Sequence, residues 1–308
     1  MSTPDSGVLP SGVWPVMLTP FYEDRSIDWR GVDALVEWYI ERGVAGLFAV
    51  CLSSEMYTLS AEERLTLAAH VVQRAAGRVP VVASGTFGGP LEAQAEFIRR
   101  LAGSGVDAVV ILTCQLVAQE ESDGVWRAQA ERLLALTGDI PLGLYECPDP
   151  YKRVLAPELM RWAAGTGRIR FHKDTCSELE PIRAKIAAVR GTPFRFYNAN
   201  TATLLASLQA GGHGFSGIAA NYFAGLQVWL CRHWQDEPER ATRLQHFLSV
   251  AEAVVRFKYP ASAKVFRRLD GMAIGPTCRV PAEPLTEEDV RILTHLLALS
   301  REVAAELQ

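Results

Sequence analysis

Gly167-Arg168-Ile169-Arg170-Phe171-His172-Lys173-Asp174-Thr175-Cys176-Ser177-Glu178 is a glycine, a short β-like run, a lysine and a polar turn, with a helix-periodic stretch beyond it. It is one period of a pattern that runs through most of the chain. Helical segments end at glycine, which accepts the left-handed conformation that closes a helix, and a short apolar strand begins one to three residues later. The same punctuation stands before Val44–Val50, Val79–Ala83, Val106–Leu112 and Ile140–Tyr145, then before Arg168–His172, Phe194–Tyr197 and Gly214–Ile218. With Val13–Leu18 in front there are eight strands, each followed by a helix, at a spacing of roughly 30 residues, the size of one β-α unit. The strands are unbroken apolar runs rather than alternating ones, as expected when both faces of a sheet are covered. This pattern predicts an α/β fold, a closed (β/α)8 TIM barrel in preference to an open sheet.

The intervening helices carry their own signals. Asp28–Arg42 places Val32, Leu35, Val36, Tyr39 and Ile40 on one stripe, and Ser60 with Glu63 has the spacing of a capping box. Past Asp236 the strands stop, and Pro238–Phe257, Ala261–Leu269 and Thr286–Leu307 read as helices. The expected organisation is a leader over 1–11, a catalytic barrel over 12–236 and a C-terminal helical extension over 237–308. Such an extension covers part of a barrel or builds a subunit contact.

Composition excludes several classes of function. A chain of 308 residues with 49% hydrophobic and 21% charged residues has the balance of an ordinary soluble globular protein. A net charge of −4 and the lack of any basic run argue against a nucleic-acid partner. No apolar run is long enough for a membrane span, and no basic segment followed by an apolar one opens the chain, so a cytoplasmic protein is expected. Six cysteines at irregular spacing, without Cys-x-x-Cys, fit reduced thiols. Cys51, Cys114, Cys147 and Cys176 follow strand ends, but their spacings are long and no histidine motif joins them, so no metal and no cofactor are expected.

In this barrel class chemistry sits at the carboxyl ends of the strands. There the sequence offers Cys51-Leu52-Ser53-Ser54-Glu55, Ser84-Gly85-Thr86, Thr113-Cys114-Gln115, Tyr145-Glu146, Lys173-Asp174, Asn198 and Ser216-Gly217. A lysine in a dry pocket loses solvation of its charge, so its pKa falls and the neutral amine becomes a nucleophile toward a ketone. Tyr145 on the neighbouring strand is placed to shuttle protons during imine formation, and serine hydroxyls with loop N–H groups to hold a carboxylate. The candidate site is therefore Lys173 and Tyr145 as catalytic groups, with Ser53 and Ser54 as substrate-binding residues and Ser216 and Ile218 as pocket wall. The substrate would be a 2-keto acid, with pyruvate the smallest. His172 alternates with Lys173 and should face the helix layer. Glu146 and Asn198 are expected in salt-bridge or turn contacts, and Lys152 and Arg153 either face an anionic substrate tail or form a solvated pair.

These segments, in this order, resemble the dihydrodipicolinate synthase and N-acetylneuraminate lyase superfamily of class I, pyruvate-handling aldolases. Gly12–Phe21 resembles the family's opening strand, and Leu59–Arg64 the stretch after its carboxylate-binding motif. Leu144-Tyr145-Glu146-Cys147-Pro148 is similar to its tyrosine-x-x-proline, His172–Thr175 to its Schiff-base segment, and Ala210–Ser216 to its glycine-rich eighth strand. The resemblance implies a Schiff-base lyase at Lys173, with Tyr145 as relay, acting in reversible aldol cleavage or condensation or in dehydration of a 2-keto-3-deoxy sugar acid. It also implies a homo-oligomer, tetramer or dimer. The departures are Leu52 for a hydroxyl residue, Ser54 for a glycine, Leu116 for the relay tyrosine that a neighbouring subunit contributes, and Pro150 for the arginine that holds the aldehyde substrate. They argue against authentic 4-hydroxy-tetrahydrodipicolinate synthase, which stays an alternative, as does a non-catalytic keto-acid-binding or regulatory homologue.

Overall fold

Pro15 interrupts the first expected strand, and the sheet is built around that interruption. The computed structural model describes residues 7–281 and 283–307. Strand β1 is only Gly12–Val13, because a proline has no N–H to give to a ladder. The alternation then runs α1 (Trp29–Glu41), β2 (Leu47–Val50), α2 (Ala61–Ala75), β3 (Val81–Ser84), α3 (Leu91–Ala102), β4 (Ala108–Leu112) and α4 (Asp123–Leu136). It continues through β5 (Leu142–Tyr145), α5 (Pro157–Gly165), β6 (Ile169–Asp174), α6 (Leu179–Val189), β7 (Arg195–Asn198), α7 (Leu204–Gln209), β8 (Gly214–Phe215) and α8 (Ala220–His233). The eight strands pair in the order β1-β8-β7-β6-β5-β4-β3-β2, all parallel.

The two ends of that order meet. A parallel bridge joins Val16 to Phe48, with Phe48 N donating to Pro15 O at 3.0 Å and Met17 N to Phe48 O at 3.0 Å. The expected barrel is therefore closed at β1 and β2. At the β1–β8 seam the backbones touch: a Cβ on Gly214 would stand 1.9 Å from Gly12 O, and the φ of Gly214 is +149°. Only glycine fits there.

Alternation along β6 sorts its side chains between two environments. Phe171 and Lys173 point into the barrel; His172 and Asp174 point to the helix layer, as the sequence suggests for His172. Inside, Phe171 packs on Trp14, Phe48 and Tyr197 with ring centroids 5.3, 5.7 and 4.8 Å apart. These rings fill the barrel beneath Lys173, so the amine stands on a dry aromatic floor.

The extension is α9 (Pro238–Val255), α10 (Ala261–Leu269) and α11 (Glu287–Glu306). The capping box read at Ser60/Glu63 forms, and Thr286/Asp289 makes a second one at the start of α11, each with reciprocal hydrogen bonds between side chain and backbone N–H. Helix α9 lies over the loop after β7: Gln245 bonds Thr201 O and Leu205 N, and Glu252 accepts from Thr201 N at 3.0 Å. Helix α10 is pinned to α8 through Tyr222 and Ser262, 2.9 Å apart. Lys264 pins it to the turn after β2 through Glu55 at 2.7 Å. The extension thus reaches the carboxyl-end mouth of the barrel. Among the described residues, no helix is long and apolar enough to cross a membrane.

Candidate active site

Three lysines are almost fully buried: Lys173, Lys185 and Lys264, at 4%, 1% and 0% exposure. Lys185 sits on Glu146 and Asp174, 2.5 and 2.6 Å away, and Lys264 on Glu55. Lys173 sits instead on aromatic rings, its Nζ 4.1 Å from the Tyr145 ring centroid and 5.8 Å from that of Phe48. Among the described residues it has no carboxylate partner within ion-pair distance. Burial without a counter-charge pushes its pKa from the ordinary 10.5 down to about 8, with Cys51 and Cys147 acting in the opposite sense. An appreciable fraction of this amine is neutral at physiological pH.

Backbone register delivers Tyr145 to it. Tyr145 and Lys173 are direct partners across β5 and β6. Burial holds the Tyr145 phenol well above its ordinary value, reinforced by Cys147, so it remains a proton-bearing group. Both residues line a cavity of about 460 Å³ at the barrel mouth, with Ser53, Gly217 and Ile218. Leu52 and Tyr259 add wall, and Lys152, Asn200, Glu252 and Arg256 line it as well. A larger cleft of about 1040 Å³ lies between α10 and the segment from Pro276 to Leu285; none of the strand-end candidates lines it.

Two expected binding residues stand elsewhere. Ser54 does not line the cavity: its hydroxyl donates to Cys51 O at 2.6 Å and accepts from Cys51 N at 2.7 Å, closing the turn that presents Ser53. Ser216 is fully buried outside the lining, its hydroxyl unpartnered, and Gly217 takes the place expected for it beside Ile218. Pairing of β7 with β8 ends at Phe215, which moves the wall one residue along. Lys152 reaches the cavity while its ammonium bonds Thr175 O at 2.5 Å. Arg153 turns to Glu121 O and Asp123. Asn198 makes turn contacts with Thr203 and Asn200 N.

Behind β5 and β6 lies a charged cluster. Glu146, His172 and Asp174 are fully buried with ligand atoms close enough to share a cation, and the Lys185 ammonium sits among them. The cluster carries its own cation. Glu146 also accepts from Leu155 N and Thr175 N, tying the loops after β5 and β6 together. Burial would raise both carboxyls. Glu146 goes up, further pushed by Asp174, whereas His172 and Lys185 hold Asp174 well below the usual range.

Strand-end reasoning missed Tyr259, Glu252 and Arg256. They come from α9 and the connection to α10, where no strand alternation marks what faces the barrel.

The chain matches the Dihydrodipicolinate synthetase family over residues 9–299. It is 32% identical over 275 residues to 4-hydroxy-tetrahydrodipicolinate synthase of Gluconacetobacter diazotrophicus, covering 88% of this chain and 91% of the relative. It is 28% identical over 277 residues to the Bacillus subtilis enzyme of the same name, covering 89% and 93%. Among solved structures it is similar to YagE of Escherichia coli K12, a prophage protein of the dihydrodipicolinic acid synthase family in complex with pyruvate. That match has a TM-score of 0.85 at 25% identity, covering 94% of this chain and 98% of that one. A monomeric dihydrodipicolinate synthase variant shares the fold at a TM-score of 0.87 and 20% identity, covering 98% and 100%.

Proposed function

The chain belongs to the dihydrodipicolinate synthetase family and is a Schiff-base lyase; from that premise we propose that Lys173 is the imine-forming amine and pyruvate, or a chain built on it, the substrate. The observation that carries this reading is that Lys173 alone of the three buried lysines has rings rather than carboxylates around it, beside a phenol at a cavity. The neutral amine attacks the C2 carbonyl, and the phenol of Tyr145 passes a proton to the departing hydroxyl as the carbinolamine loses water. The resulting iminium withdraws electrons from C3. Loss of a C3 proton gives an enamine that adds to an aldehyde; the reverse cleaves an aldol, and loss of a C4 hydroxyl dehydrates a sugar acid. Ser53 and adjacent backbone N–H groups hold the carboxylate.

A cavity of about 460 Å³ has room for more than pyruvate. Lys152, Asn200, Glu252 and Arg256 suit a second substrate, or a distal chain, that carries hydroxyls and an anionic end. The relatives' names favour authentic 4-hydroxy-tetrahydrodipicolinate synthase as the second reading. Leu116 and Pro150, where the resemblance calls for tyrosine and arginine, weigh against it. Assembly as a homo-oligomer belongs to the proposal too, and sedimentation measures it.

The test is reductive trapping. Incubation with pyruvate and borohydride should give one reduced pyruvyl adduct, mapped by peptide mass to Lys173. No adduct, or an adduct elsewhere, sinks the mechanism. Turnover with the synthase's own aldehyde against a panel of sugar acids then separates the two readings.

A further inference from the structure

Tyr259 stands in the connection between α9 and α10 and lines the cavity with Ser53, Tyr145 and Lys173. Its oxygen is held by Asn221, a fully buried amide whose every polar position is used. Asn221 Oδ1 accepts from the Tyr39 hydroxyl, and Nδ2 donates to Val16 O at 3.0 Å and to Tyr259 Oη at 2.7 Å. The carbonyl of Val16 needs a donor, which settles the orientation of the amide. An amide nitrogen donates and cannot accept. Tyr259 is therefore the acceptor in that bond, and its own hydrogen is left for the cavity side, where Ser53 is the neighbouring polar side chain. Burial holds the phenol well above its ordinary value, with Ser53 pulling the other way, so the O–H persists through neutral pH.

The mounting is rigid. Tyr259 is two residues before the start of α10, which is anchored to α8 by Ser262 and to the Ser53 turn by the Lys264–Glu55 pair. The same ion pair thus ties the element carrying Tyr259 to the turn carrying Ser53. Of the turn's other side chains at the cavity, Leu52 has no donor to offer, and the Glu55 carboxylate, engaged by Lys264, can only accept.

We propose that Tyr259 is a substrate-binding residue, its phenol O–H donating to the carboxylate of the 2-keto acid beside Ser53. The proposal rests on the Schiff-base reading of Lys173. It assigns the C-terminal extension a direct part in recognising the acid.

The test compares two carbonyl compounds trapped by cyanoborohydride: pyruvate, and acetone, which lacks a carboxylate. Tyr259→Phe removes one oxygen and leaves Asn221 bonded to Val16. Losing a hydrogen bond to a charged group should raise the half-saturating pyruvate concentration about tenfold or more, with acetone trapping unchanged. Ser53→Ala should show the same selectivity for the acid. Equal losses with both carbonyls, or no change with either, would overturn the proposal. Absence of any Lys173 adduct in the unaltered protein overturns the Schiff-base reading and this proposal together. A pyruvate dependence indifferent to Tyr259, with the adduct intact, overturns this proposal alone.

Discussion

Replacing Lys173 by methionine should stabilise the protein at neutral pH while abolishing adduct formation. The apolar side chain fills most of the lysine's volume, ends one atom short of the Nζ that faces the Tyr145 and Phe48 rings, and loses a charge that burial disfavours. A pKa brought from 10.5 to about 8 means that the folded state opposes the ammonium by about 3 kcal/mol, at about 1.4 kcal/mol per tenfold change in the proton equilibrium. The ring faces return part of this, since a cation over an aromatic contributes about 0.5–2 kcal/mol. The expected gain for Lys173→Met is thus about 1–3 kcal/mol. Its pH dependence has a definite sign. Between about pH 8 and 10.5 the unfolded chain holds a proton on this lysine that the folded chain has released, so stability of the unaltered protein rises with pH across that window. The gap between variant and unaltered protein should be full below pH 8 and close toward 10.5. Urea unfolding of both proteins at a series of pH values measures it, and the difference cancels every other titrating group. A variant less stable at pH 7, or a gap that ignores pH, would refute the reasoning.

The other expectations concern the chemistry and its support. Tyr145→Phe should slow pyruvate adduct formation by about a hundredfold or more, the scale of a lost general acid–base group, without a matching fall in melting temperature. The initial trapping rate of the unaltered protein should climb with pH and level off above about 8, as the Lys173 ammonium gives way to the amine; a flat profile would place the nucleophile elsewhere. Lys185→Met strands Glu146 and Asp174 in the interior and should cost about 3–5 kcal/mol at pH 8. The deficit should shrink at pH 4, where the stranded carboxyls take up protons; chemical denaturation at the two pH values decides it.

Much of this molecule is local. Glycine after each helix, apolar runs of strand length and the Ser60/Glu63 and Thr286/Asp289 boxes are written within a few residues, because helix caps and strand alternation depend on near neighbours. The same parity that turns Lys173 inward turns His172 outward, so the orientation of β6 is legible from its own residues. Its lysine at a barrel mouth, with a tyrosine on the adjacent strand, needed only the strand count. Val13–Leu18 reads as one strand in the sequence, whereas in the fold β1 is only Gly12–Val13, and neither the break at Pro15 nor the closure of the barrel past it through Val16 and Phe48 was legible.

What tertiary structure alone decided is which polar groups are free. Ser53 and Ser54 are adjacent and chemically identical; a short turn commits Ser54 to Cys51 and leaves Ser53 at the cavity. Lys173, Lys185 and Lys264 are one residue type in three buried places, and only the packing of distant segments gives two of them carboxylates. Lys264 meets Glu55 across 209 residues of sequence, and Asn221 meets Tyr259 across 38. Periodicity carries no information over such spans, because these pairings arise when the closed barrel brings its mouth and its C-terminal helices together. The chain's local pattern determined the barrel and the inward face of Lys173; its folding determined that this amine is the one left without a counter-charge.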